Sequence, residues 1–168
     1  VFSRGGATWL VGWPAGGGDP NVLTQPDAAQ ADHLLPSILP GGRGVLFTIA
    51  AGQSENAQVA VLDLKTGQRK TLVRGGSHAE YVETGHLVYA VAGTLRAVRF
   101  DLARLEVTSD PAPVVEHLTM GTTGAADFAL ARRGPLVYVP GGASGALTPR
   151  PRAGGDREGP GGPAQTGK

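Results

Sequence analysis

The stretch DHLLPSILPGGRGVLFTI, residues 32–49, followed by AQVAVLDLKTGQRKTL, residues 57–72, decides the fold. Polarity alternates with period two through Gln58, Val59, Ala60, Val61, Leu62 and Asp63, the pattern of a half-buried strand. The link DLKTGQ, residues 63–68, reads as a hairpin turn. Asp63 can bond its own backbone, and Gly67 can take the left-handed position. A second hairpin is expected through Val91, Ala92, Gly93 and Thr94.

Outward from this stretch, an apolar strand ending in an aromatic residue recurs. It is VF at Phe2, GVLF at Phe47, HLVY at Tyr89 and PLVY at Tyr138, spaced by 45, 42 and 49 residues. The last three copies each follow a glycine-bearing turn: LPGGR (39–43), ETG (83–85) and ARRG (131–134). Each period holds about four short strands, the content of one propeller blade, typically ~40–50 residues. The expected fold is all-β: a partial β-propeller of about three four-stranded antiparallel blades over residues 1–146, with a disordered tail over 147–168. Phe47, Tyr89 and Tyr138 are expected in the blade cores. Phe2 ends a strand whose beginning is missing and Tyr138 ends one with no blade after it. The arc is therefore expected to be open at both ends and poorly stable alone.

Composition bounds the function. Gly 27 and Pro 13 in 168 residues favour a turn-dense β fold over long helices. A net charge of +1 gives no electrostatic footprint for nucleic acid or an anionic membrane. The absence of Cys removes disulfides and thiolate chemistry, and no apolar run approaches the ~20 residues a membrane span needs. In the last twenty-two residues, six Gly and four Pro accompany one aliphatic residue larger than Ala, too little apolar area to offset chain entropy.

The residues quoted first resemble the TolB-like propeller repeat, in which a P-x-(S/F)-x-P-(D/G)-G turn leads into an inner strand and an outer hairpin of the form v-D-l-x-T-G follows. PAGGGDPNVLT (14–24) and GTLRAVRFDLARLEVTSDPAPVVE (93–116) are similar to the propeller half of bacterial receptor-type serine/threonine protein kinases. The resemblance implies a non-enzymatic sensing or interaction module outside the cytoplasm, from a membrane-anchored parent carrying a kinase domain. A free-standing periplasmic TolB-like scaffold and the accessory propeller of a prolyl-oligopeptidase-like hydrolase are the alternatives. Gly41 and Gly42 replace the usual Asp-Gly, and Arg132 and Arg133 stand where Asp is common.

No catalytic, cofactor or metal set assembles from the motifs. Asp127, Phe128 and Ala129 imitate a kinase metal-binding turn, but no HRD-type loop precedes them, and they fall where an inner strand should run. GPAQTGK (162–168) has part of a phosphate loop without the Ser or Thr and helix that a working loop requires. The text around Ser144 departs from a hydrolase elbow at Ala146. His78, Glu80, Glu83 and His86 offer metal-type ligands, with alternation placing His78 and Glu80 on one face, but strand ends at a blade rim explain them as well. Asp27 and Asp32 read as loop and strand-entry residues. The candidate interaction surface is Trp9, Trp13 and His33, for an unidentified protein, peptide or small ligand. Packing competes for both tryptophans, and a bond between blades competes for His33.

Overall fold

The computed structural model describes residues 8–26, 31–52, 54–131 and 134–141. They form thirteen strands in four antiparallel sheets. A hairpin of β1 (Val11–Gly12) and β2 (Asn21–Val22) comes first. A four-stranded meander follows: β3 (Ala31–Ile38), β4 (Gly44–Ala51), β5 (Gln58–Asp63) and β6 (Arg69–Arg74), paired in sequence order. The next sheet repeats that order with β7 (Ser77–Val82), β8 (His86–Val91), β9 (Thr94–Asp101) and β10 (Glu106–Val107). β11 (Ala112–Val115) pairs further along the same strand, β9. A hairpin of β12 (Phe128–Leu130) and β13 (Leu136–Tyr138) closes the series. The two meanders are thus flanked by two hairpins whose strands together equal those of one further meander.

Alternation along the strands makes this a stack of layers with three apolar cores. Leu10 of the first hairpin packs with Val45, Phe47, Ala60 and Leu62 on one face of the first meander. Leu46, Val59 and Val61, on its other face, meet Leu87, Tyr89, Val98 and Phe100 of the second meander. Val88, Ala90 and Leu95, on that meander's far face, meet Phe128, Leu130 and Leu136 of the last hairpin. The register fixes these assignments. Phe47 pairs with Ala60 and Leu46 with Val61, so a one-residue slip would turn every side chain to the wrong layer.

Local geometry explains the turns. Asp63 Oδ1 accepts the Lys65 N–H at 2.8 Å, and Gly67 has φ 71°, as the DLKTGQ hairpin requires. Ala92 and Gly93 both have positive φ, the two-residue turn that matches strand twist. Gly44 is required for another reason. A Cβ there would lie 2.6 Å from the Leu62 carbonyl oxygen, so only glycine lets β4 start this close to β5.

Two features depart from the sequence reading. Phe47 and Tyr89 are buried at 1% and 2% exposure, but Tyr138 is 41% exposed and is not a core residue. Its strand pairs with β12 alone, and no sheet among the described residues covers the far face of that hairpin. The alternation expected of His78 and Glu80 also fails: β7 carries a register shift between Ser77 and Glu80, with His78 at φ 48°. The mark at Phe2 and the tail at 147–168 lie outside the described residues.

Truncating Phe47 to Ala should cost about 3–5 kcal/mol, the range for an aromatic removed from a packed core. Urea unfolding of wild type and variant measures it, and a loss under ~1 kcal/mol would contradict the buried placement.

Candidate functional site

Hydroxyl and carboxylate groups stitch the layers together where each meander begins. The Thr8 backbone N–H and hydroxyl both donate to Asp32 Oδ1, at 2.7 and 2.8 Å, and the Thr8 carbonyl accepts the His33 N–H. Those two donors hold the Asp32 carboxyl below its ordinary value, the backbone N–H having the larger effect. His33 is buried beside Phe47, its ring edge-on at 4.9 Å, and its Nδ1 lies 2.7 Å from Thr24 Oγ1. Thr24 belongs to the preceding layer, and the same oxygen accepts the Leu10 N–H at 3.1 Å.

The next junction repeats the device with different partners. The His78 N–H donates to Thr48 Oγ1 in the preceding meander, and His78 Nδ1 accepts the Ala126 N–H of the following layer. The Ser77 hydroxyl donates to the Gly124 carbonyl at 2.7 Å, and Ser37 donates to Glu80 Oε2 at 2.6 Å. Sequence reasoning missed Thr8, Thr24 and Thr48. A polar residue followed by His ahead of two successive aromatic marks, Asp32-His33 before Phe47 and Ser77-His78 before Tyr89, was the available signal.

These bonds decide several candidates. Glu80 is engaged by Ser37 and His86 by Thr84, and among the described residues no three His, Asp or Glu side chains are grouped to hold a metal. The Asp127 backbone bonds Thr119 and Val139, and the Phe128 ring lies 4.8 Å from His78, as packing at a strand start requires. Ser144 and GPAQTGK lie outside the described residues, as does Asp27.

The structure separates His33 from the two tryptophans. His33 is inside; Trp9 and Trp13 are exposed at 52% and 70%. Trp13 borders a cleft of about 480 Å³ between the first hairpin and the first meander. One wall is Leu10, Val11, Trp13 and Leu23, and the floor is Pro36, Ile38, Val45 and Leu64. Gly12, Pro14 and Asn21 complete the lining, so no charged side chain enters it among the described residues. Ile38 is 66% exposed there, unusual for an isoleucine on a core-forming sheet. Val11, on the wall, is 52% exposed, and β1 pairs with β2 alone, leaving its other edge without a strand among the described residues.

A second cleft, about 750 Å³, lies at the opposite strand ends between Glu55, Ser77, Gly93, Met120 and Thr122. There the Ser77 hydroxyl is bonded to Gly124 and the Gly93 N–H to Met120 Sδ at 3.0 Å, and the lining mixes Glu55 and Thr122 with small apolar residues. The first cleft, uncharged and bordered by the exposed Trp13 and Ile38, is the better candidate site for an apolar ligand. No helix among the described residues is long and apolar enough to cross a membrane. No family model, curated protein or solved structure matches the chain.

Away from the cleft, Arg43 donates to Asp63 Oδ1 and lowers the Asp63 carboxyl to about 2. The folded-state value lies below the ordinary 3.8, so the stabilisation is complete above 3.8 and is lost as pH falls through about 2. Asp63→Asn should flatten the fall in stability across that window, measured by urea unfolding at stepped pH. Thr24→Val leaves the Leu10 N–H without the threonine oxygen and should cost about 1–3 kcal/mol in the same assay at neutral pH. A neutral effect would show that the Thr24 bond is dispensable.

Proposed function

We propose that this chain is a non-enzymatic interaction module built on an arc of TolB-like β-propeller, of the kind found in the sensor half of receptor-type serine/threonine kinases. The resemblance of residues 14–24, 32–72 and 93–116 supports the family reading. The stacked meanders, each paired in sequence order, are what that reading requires. An extracytoplasmic location follows from it.

The observation that carries the binding role is the apolar cleft beside an edge of β1 that no strand among the described residues pairs with. An extended peptide laid along β1 would find backbone donors and acceptors on one side. Its alternate side chains would meet Pro36, Ile38 and Val45 below. Strand addition of this type takes affinity from main-chain hydrogen bonds and specificity from alternate side-chain pockets. The uncharged lining selects an apolar extended peptide over an acidic or basic one.

Both tryptophans of the chain are exposed, which gives a direct readout. Titration with short apolar β-forming peptides should shift the indole emission to the blue as Trp13 loses water. Trp13→Ala should remove most of the shift, whereas Trp9→Ala should keep it. Unchanged emission with every peptide would overturn the cleft as a binding site.

A further inference from the structure

The joint between the second meander and the last hairpin contains one bond that oxidation can reach. Gly93, in the turn between β8 and β9, faces the segment Leu118–Met120 of the following layer. Its carbonyl accepts the Leu118 N–H at 2.7 Å, and a Cβ on it would lie 3.4 Å from the Leu118 carbonyl oxygen. In a backbone ladder the Gly93 N–H would return the bond to a carbonyl. Here it donates to Met120 Sδ at 3.0 Å instead. A thioether is a weak acceptor, so this tie rests on a soft, oxidisable atom.

The half-buried Met120 stands between two surroundings. On one side it packs against the core of Val88, Ala90, Leu95, Leu118 and Ala126. On the other it lines the cleft of about 750 Å³ at the strand ends, with Glu55, Ser77 and Thr122, where a small hydroperoxide has room to enter. The same segment reaches the last hairpin. The Thr119 N–H donates to the Val139 carbonyl and the Thr119 carbonyl accepts the Asp127 N–H, both at 3.0 Å. Leu118–Met120 therefore links the β8–β9 turn to the β12–β13 hairpin. Met120 is the one methionine of a chain without cysteine, so no other sulfur of the chain competes for an oxidant.

We propose that Met120 is an oxidation site, at which a hydroperoxide loosens the joint between the second meander and the β12–β13 hairpin. A sulfur lone pair attacks the terminal oxygen of ROOH, the O–O bond breaks as the S–O bond forms, and the proton passes to the departing RO oxygen. The products are methionine sulfoxide and ROH, which is water when the oxidant is hydrogen peroxide. Sulfur gives up two electrons and the peroxide takes them. The added oxygen is polar while the core side is apolar, so the oxidised side chain turns toward the cleft and the Gly93 N–H loses its acceptor. A thiol-dependent sulfoxide reductase reverses the step: two thiols become a disulfide, the oxygen leaves as water, and the thioether is restored.

Hydrogen peroxide treatment of the purified chain tests this, followed by peptide mass and by amide exchange read residue by residue by NMR. One oxygen should be added at Met120, at a rate within about tenfold of that in the urea-unfolded chain. Exchange at Gly93, Leu118 and Thr119 should then rise about tenfold or more while β3–β6 keep their protection. Sulfoxide reductase with dithiothreitol should restore the slow exchange. Met120→Leu, a swap of similar volume, should show no peroxide-dependent change at those amides. A slower oxidation would show a shielded sulfur and overturn the site. Oxidation that leaves the three amides unchanged, a rise spread over every sheet, a change that reduction does not reverse, or the same change in the leucine variant would overturn the loosening.

Discussion

A β-sheet with apolar side chains on both faces is stable only between two neighbours, and that requirement organises this chain. In β4 the adjacent residues Leu46 and Phe47 are both buried, yet they point into different cores. In β8 Val88 and Tyr89 do the same. Each meander therefore transmits a demand: covering one face presents another that must be covered next. A sheet with one polar face would end the series without cost. Neither meander here has such a face, because the alternate residues of their second strands are apolar in both phases.

Burial alone would let such layers slide, since apolar contact is non-directional. Direction comes from the polar contacts at the strand starts. Thr24 and His33 bond in a buried position, where a lost partner carries the full desolvation penalty. The His78 N–H donates to Thr48 Oγ1 and ties the two meanders. Left-handed backbone at Leu35 and His78 coincides with register shifts in β3 and β7, so both opening strands bend where their side chains reach across layers. Pro36 is tolerated in β3 because that strand pairs on one side only.

The legible parts of this architecture were the local ones. Period-two alternation in residues 58–63, the Asp-Gly turn chemistry of 63–68 and the recurring aromatic marks all report on interactions within a few residues, and the all-β fold followed from them. The exposure of Tyr138 was not legible, because its text, PLVY, matches HLVY; what differs is the number of strands beside it. The split between His78 and Glu80 was hidden by a bulge, which breaks alternation without any glycine to announce it. For the site, Trp13 was visible as a candidate, but its cleft was not, since Pro36, Ile38 and Val45 read as ordinary strand residues. Pro36 and Ile38 are exposed because no strand among the described residues covers them, which no local pattern encodes.

Under the proposed reading, a module built this way binds by the interaction that folds it. The main-chain groups of a free edge accept any strand, so selectivity must reside in the alternation. Val137 and Val139 point forward while Leu136 points back toward Leu118 and Ala126 of its own core, and this phase admits one register. Shifting β13 by one residue against β12 would turn Leu136 out of that core and put Val137 in its place. Under the same reading an incoming strand is selected by the phase of its apolar residues, the criterion that also sets the order of the layers inside the chain.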